Sequence, residues 1–314
     1  MKILVFGAGA VGSVIGGLVS RMGHDVALLG RASHVDVVEK QGLHITGLWG
    51  EYRIRTFDVY HAVSEIPPEK REFDLILLTV KAFDTEEAAE QLAPLVGPAT
   101  TVLSFQNGLG NIEAITRRVP PDRFLAGRII TGVELEPGAV RVTVSADDLV
   151  VGALEGARPR FSPEDVARLL KLSKIPARAV PDIVTHIWSK AIYNCALNGL
   201  CSAREIPYGR ILETEEGRRS LEAVVRECYA VASRKQVRLD PPGADAYYRL
   251  LVEKLIPVTA GHFPSMMRDI QRGRRTEIDQ LNGAIVRFGE ELGLAVPENR
   301  RIWELIRAKS RVIK

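Results

Sequence analysis

The sequence predicts an α/β protein in which an N-terminal, doubly wound parallel sheet is followed by an all-helical C-terminal domain. Three observations carry this. Gly7-Ala8-Gly9-Ala10-Val11-Gly12 follows a short β-prone run at residues 3–6 and opens a helical stretch. Residues 74–80, DLILLTV, form a near-continuous apolar run of strand length, the pattern of a strand buried on both faces. After Pro181 the β-branched runs stop and helical patterns broken by Pro and Gly fill the rest, so the expected domains are 1–180 and 181–314.

Composition fits that division. A chain of 314 residues, 46% hydrophobic and 26% charged, is long enough for two cores. Net charge is only +3 and the basic residues are interleaved with acidic ones, which argues against nucleic acid or a membrane surface and for a small-molecule partner. Cys195, Cys201 and Cys228 are odd in number and contain no Cys-x-x-Cys, and the six histidines lack metal-ligand spacing, so no disulfide, no metal and a reducing cytoplasm are expected. No Gly-x-Ser-x-Gly elbow is present. The uncharged run at residues 3–20 is too rich in glycine for a membrane span or an export signal.

In chain order, the G-x-G-x-x-G turn reads as a Rossmann-type dinucleotide cradle formed by Gly7, Ala8, Gly9, Ala10, Val11 and Gly12. Gly7 permits the turn, Gly9 admits a pyrophosphate, Gly12 lets helix close on strand, and the helix N-terminus supplies amides and a positive dipole. The second strand, Asp25–Leu29, ends in Gly30-Arg31-Ala32-Ser33, with no Asp or Glu for a ribose diol; Arg31 and Ser33 suit a 2′-phosphate and so NADPH. Residues 43–57 hold short β-like runs. Lys81 follows the 74–80 strand at its carboxyl end, beside the expected cofactor, and Asp84 with Glu87 suggests a capping box. The strand at 100–105 closes in Gln106-Asn107-Gly108-Leu109-Gly110, which places Asn107 within reach of nicotinamide and substrate. Residues 128–151 read as a hairpin extending the sheet antiparallel. Ser162-Pro163-Glu164-Asp165 caps the last helix, and 177–180 forms a final strand.

In the helical part, SKAIYNCALN at residues 189–198 puts Lys190, Asn194 and Asn198 at i, i+4 and i+8. At about 100° per residue, each step advances only about 40° around an α-helix, so the three share a face while Ile192, Ala196 and Leu197 pack behind it. One amine in line with two amides suits a polar carbonyl substrate, because hydride addition to a ketone leaves an alkoxide that an ammonium neutralises and protonates. A solvated helix edge is the plainer alternative for such a spacing. Further helices are expected at 215–236, 243–255, 265–292 and 298–309.

Taken together, the Gly-rich turn at residue 7, K-x-x-x-N-x-x-x-N at 190, and S-M-x-x-D followed by R-x-T-E-I-D-x-x-N-G from 265 resemble the ketopantoate reductase family over nearly the whole chain. The resemblance implies an NADPH-dependent reductase of a 2-oxo acid bearing a 4-hydroxyl. It implies Lys190 as general acid, Glu277 holding the substrate hydroxyl and touching the cofactor, Ser265 on the carboxylate, and Asn107, Asn194 and Asn198 completing the pocket. One departure stands out: where that family often has Pro-Asn-Gly, this chain has Pro207-Tyr208-Gly209, leaving Tyr208 as the hydrogen-bonding group. A β-hydroxyacid dehydrogenase with its own Lys-x-x-x-Asn pair and a non-catalytic NADPH-sensing module are the alternatives. The helical domain is the expected surface for a homodimer.

Overall fold

The computed structural model describes residues 1–312. Its first compact unit is built on an eight-stranded sheet: β1 (Lys2–Phe6), β2 (Asp25–Leu29), β5 (Asp58–Tyr60), β6 (Leu75–Leu78), β7 (Thr101–Ser104), β8 (Phe124–Arg128), β11 (Leu149–Ala153) and β12 (Ala177–Ala179). Spatial order is β12-β11-β8-β7-β6-β1-β2-β5, with every neighbouring pair parallel except β11 against β8. The chain winds outward from β1 through β2 to β5, then returns to the other side of β1 at β6. That reversal puts the switch point, where doubly wound sheets bind ligands, at the carboxyl ends of β1 and β6. β6 and β7 are buried along their whole length, as the apolar run required.

The expected hairpin over 128–151 is placed differently. β9 (Thr131–Glu136) and β10 (Ala139–Ser145) do form a hairpin through Pro137-Gly138, but it joins β3 (Leu43–Gly47) and β4 (Tyr52–Ile54) in a separate four-stranded sheet, β4-β3-β10-β9. Only β11 extends the main sheet. β10 buries Val140 and Val142 while Arg141 and Thr143 are exposed, so it has one apolar face and is unsuited to a sheet covered on both sides.

The helices of this unit are α1 (Ala10–Ser20), α2 (Ala32–Gln41), α3 (Thr85–Leu92), α4 (Asn111–Thr116) and α5 (Pro163–Leu172). Before α5 the expected capping box is complete: Asp165 N donates to Ser162 Oγ, and Ser162 N donates to Asp165 Oδ2, both at 3.1 Å. Before α3 it is absent. The Asp84 amide donates instead to Lys81 O at 2.9 Å in a 3₁₀ turn, Ala82–Asp84, and no side chain caps the helix.

The second unit takes in Gly108–Gly110 and the chain from Val184 onward, whereas the first comprises Met1–Asn107 and Asn111–Ile183. The sequence suggested a division after residue 180; positions 313 and 314 of that expectation lie outside the described residues. From α6 (Ile183–Tyr193), whose first residue still counts with the first unit, the chain continues through α7 (Leu200–Arg204), α8 (Glu215–Arg234), α9 (Ala244–Leu250), α10 (Ile256–Val258), α11 (Ser265–Gln271), α12 (Asn282–Leu292) and α13 (Pro297–Val312). α8 is the spine of the second unit. Leu221, Val224, Val225, Cys228, Val231 and Ala232 recur at helical spacing and are fully buried, each Leu or Val stabilising by about 1.5–3 kcal/mol.

The single helix expected at 265–292 is broken. α11 stops at Gln271, Gly273 takes a left-handed φ of 63°, and a 3₁₀ turn at Ile278–Gln280 leads into α12. Glu277 therefore lies in a turn, not in the middle of a helix. Among the described residues, no helix is long and apolar enough to cross a membrane, and no group of three His, Cys, Asp or Glu is placed to hold a metal ion. The three cysteines are free and buried.

Candidate active site

A candidate cofactor site lies at the carboxyl edge of the first sheet. Gly7 has φ 103°, and a Cβ there would stand 2.6 Å from Val80 N. The Gly7 and Ala8 amides both donate to Leu29 O, at 3.0 and 2.8 Å, which ties the turn to β2. At Gly12 a Cβ would lie 2.4 Å from Thr79 Oγ1 and 2.5 Å from Gly7 O, so only glycine lets α1 close on the turn. Gly9 differs: a Cβ there would find nothing nearer than Gly7 O at 3.9 Å. Packing leaves that position clear, and a ligand's backbone approach is what a side chain would obstruct. α1 has no acidic residue in its first turn and no side-chain cap, so nothing of that kind offsets its positive dipole end. A dinucleotide pyrophosphate fits this cradle.

The other expected cofactor residues share that edge. The pairing of Phe6 with Leu29 and with Leu78 sets Arg31 and Lys81 beyond strand ends flanking the Gly-rich turn, and both are exposed. Arg31 is the N-cap residue of α2. Asn107, three residues past β7, is half-buried. Its carbonyl accepts from Asn111 Nδ2 at 2.8 Å, and Asn111 Oδ1 accepts from Thr85 Oγ1 at 2.9 Å. Thr85 Oγ1 in turn accepts from Gln106 Nε2 at 2.7 Å. Sequence reasoning missed this network and missed Thr79, whose hydroxyl donates to Gly7 O at 2.8 Å. The one signal available for Thr79 was a hydroxyl at the carboxyl end of an otherwise apolar strand.

In the second unit, Lys190 is half-buried near the end of α6, and Ile192, Ala196 and Leu197 are buried as the expected packing face. The continuation is not α-helical: Asn194–Gly199 forms one wide π turn. Four residues overshoot an α turn by about 40° but fall short of a turn bonded i to i+5. The two deviations have opposite sign, which brings Asn198 back toward the line of Lys190.

Asn194 is half-buried, but Asn198 is buried, with both ends of its amide engaged. Its Nδ2 donates to Ser265 Oγ and its Oδ1 accepts from Met266 N, each at 3.1 Å. Asn198 thus orients the start of α11 and the exposed Ser265. Tyr208 is 4% exposed, its ring edge-on to Tyr193 and tilted over His262 at centroid distances of 6.1 and 5.2 Å. Burial pushes its phenol well above the usual tyrosine range, so it is neutral. Glu277 is half-buried between the buried Thr276 and Asp279, whose Oδ1 accepts from Trp303 Nε1 at 2.7 Å. The second unit therefore carries an amine, amides, a hydroxyl and a carboxylate on α6, the wide turn, α11 and the Glu277 turn, and Asn198 joins the wide turn directly to α11.

Residues 3–156 match the family model described as Ketopantoate reductase PanE/ApbA, and residues 182–310 match the model of that family's C-terminal part. A 2-dehydropantoate 2-reductase of Aquifex aeolicus is 36% identical over 312 residues, covering 98% of this chain and 97% of the relative. Among solved structures, a PanE/ApbA family ketopantoate reductase from Ralstonia eutropha JMP134 is similar with a TM-score of 0.86 and 30% identity, covering 100% of this chain and 99% of the other. A D-mandelate dehydrogenase, solved with NADH and anilino(oxo)acetate, gives a TM-score of 0.85 at 30% identity over the same shares.

Proposed function

Since the chain belongs to the ketopantoate reductase family in both of its halves, we propose that it reduces 2-dehydropantoate to pantoate with NADPH, a step of pantothenate biosynthesis. The observation that supports this most is the family match across both units. NADPH, when bound, supplies the hydride that adds to the carbonyl carbon. The Gly7 to Gly12 turn and the first turn of α1 would hold its pyrophosphate, and Arg31 would pair with its 2′-phosphate; Lys81 and Asn107 belong to the same edge. Lys190 gives its proton to the carbonyl oxygen as the C–O double bond becomes a single bond, and its charge stabilises the developing alkoxide. Asn194 hydrogen-bonds the substrate, Ser265 takes its carboxylate, and Glu277 accepts from its 4-hydroxyl. Asn198 acts by orienting Ser265, and the buried Tyr208 shapes the pocket behind it. The reading includes a cytoplasmic enzyme that pairs through its helical domain. Consumption of NADPH on addition of 2-dehydropantoate, followed by nicotinamide absorbance, tests the proposal; no consumption refutes it.

Two substitutions probe the assignments. Arg31→Ala removes a charge-assisted contact that only the phosphorylated cofactor makes. KM for NADPH should rise by roughly 1 to 3 kcal/mol, about 5- to 150-fold, while KM for NADH stays nearly constant. Equal weakening toward both cofactors would remove Arg31 from the 2′-phosphate site. Glu277→Ala should lower kcat/KM for 2-dehydropantoate by a similar factor while sparing 2-oxo acids without a 4-hydroxyl. Parallel loss on both substrate types would show that Glu277 does not read that hydroxyl.

A further inference from the structure

The Asn282-Gly283 pair closes the R-x-T-E-I-D-x-x-N-G stretch, yet nothing above gives it work. Asn282 is 0% exposed at the start of α12, five residues beyond Glu277. Its Nδ2 donates to two oxygens: Asn299 Oδ1 at 2.9 Å and Cys195 O at 3.3 Å. Cys195 adjoins Asn194 inside the wide turn, where the Leu200 amide is directed to Leu197 O. Asn299, also 0% exposed, is fixed from behind. Its Nδ2 and its backbone N donate to Glu227 Oε2 at 2.8 and 2.9 Å, and Glu298 N donates to Glu227 Oε1 at 2.8 Å.

The orientation of the Asn282 amide is forced, because flipping it would set its oxygen against two other oxygens. Its Oδ1 has no hydrogen-bond partner among the described residues and lies against Gly199, where a Cβ would be 2.3 Å away. A buried amide oxygen without a partner is unfavourable, and a leucine of the same branched shape would avoid it. What the asparagine contributes is therefore its pair of donated bonds.

We propose that Asn282 is a positioning residue: it braces the wide turn from behind and so holds the Lys190 and Asn194 face and the Glu277 turn in one frame. The inference rests on the functional reading only for its kinetic readout. Asn282→Leu should lower kcat/KM for 2-dehydropantoate at least about 10-fold with NADPH Kd within about twofold, and should speed hydrogen exchange of amides 194–200 at least about 10-fold. Ile306→Ala, a truncation in the same helical core, should lower Tm but leave both readouts within about threefold of wild type. Should Asn282→Leu not fold, Gly199→Ala presses a methyl group on the same amide and should give the same pair of changes. Unchanged exchange at 194–200, or an equal change in Ile306→Ala, overturns the inference. Wild-type protein inactive on 2-dehydropantoate overturns the functional reading alone, since exchange needs no substrate.

Discussion

Lys190→Ala should bind NADPH nearly as tightly as wild type while losing at least about 100-fold in kcat. A positioned general acid contributes about 10²- to 10⁴-fold, and more where the same ammonium steadies the developing alkoxide. The cofactor cradle of Gly7, Gly9 and Gly12 belongs to the first compact unit, and Lys190 belongs to the second, which is why the two measurements separate. Stopped-flow turnover and a fluorescence titration with NADPH are sufficient. Loss of both would assign Lys190 to the fold, and full activity would end the acid mechanism. Asparagine at this position should not restore the rate, because it carries no proton to give at the required acidity.

The second large effect belongs to the cradle. Gly12→Val would drive side-chain atoms into Thr79 Oγ1 and Gly7 O, where even a bare Cβ would stand at 2.4 and 2.5 Å. Since one of those neighbours is backbone, α1 has to move off β1. Overpacking of this kind costs about 1–3 kcal/mol or more, a Tm loss of about 2 to 12 °C, and the displaced helix should weaken NADPH binding at least about 100-fold. Gly9→Ala separates the two consequences. Its Cβ has 3.9 Å of room, so Tm should hold while NADPH affinity falls. Wild-type NADPH binding by Gly12→Val would refute the account of the cradle.

What the sequence disclosed follows from the range of the interactions involved. β1, β2, β6 and β7 are buried on both faces, and that leaves continuous apolar runs that can be read locally. The Gly-rich turn, Arg31 and the Ser162 capping box are likewise local. β3 and β10 are not: they pair in parallel across almost a hundred residues, so no short window shows that the hairpin joins a second sheet. The break after α11 was hidden because apolar periodicity continues on either side of it, while the left-handed Gly273 that ends the helix could equally have sat inside one. For the site, the residue types of Lys190, Asn194 and Asn198 were visible, but whether an amide faces a ligand or caps a neighbouring helix depends on Ser265 and Met266, more than sixty residues away.

The wide turn at Asn194–Gly199 also fixes the chain's count. A π turn is an α-helix carrying a surplus residue, and the wider turn absorbs that surplus so that the helix beyond keeps its angular phase. Deleting one residue, Ala196 for instance, would let ordinary α bonding run from α6 into α7, and the seven steps then separating Lys190 from Asn198 would turn about 700°, leaving Asn198 within about 20° of the Lys190 line. An added residue has no second wide turn to take it up: it would rotate Asn198 by about 100° relative to Lys190 and advance it by about 1.5 Å, away from the α11 atoms it now holds. The stretch from Asn194 to Gly199 should therefore tolerate the loss of one residue far better than the gain of one.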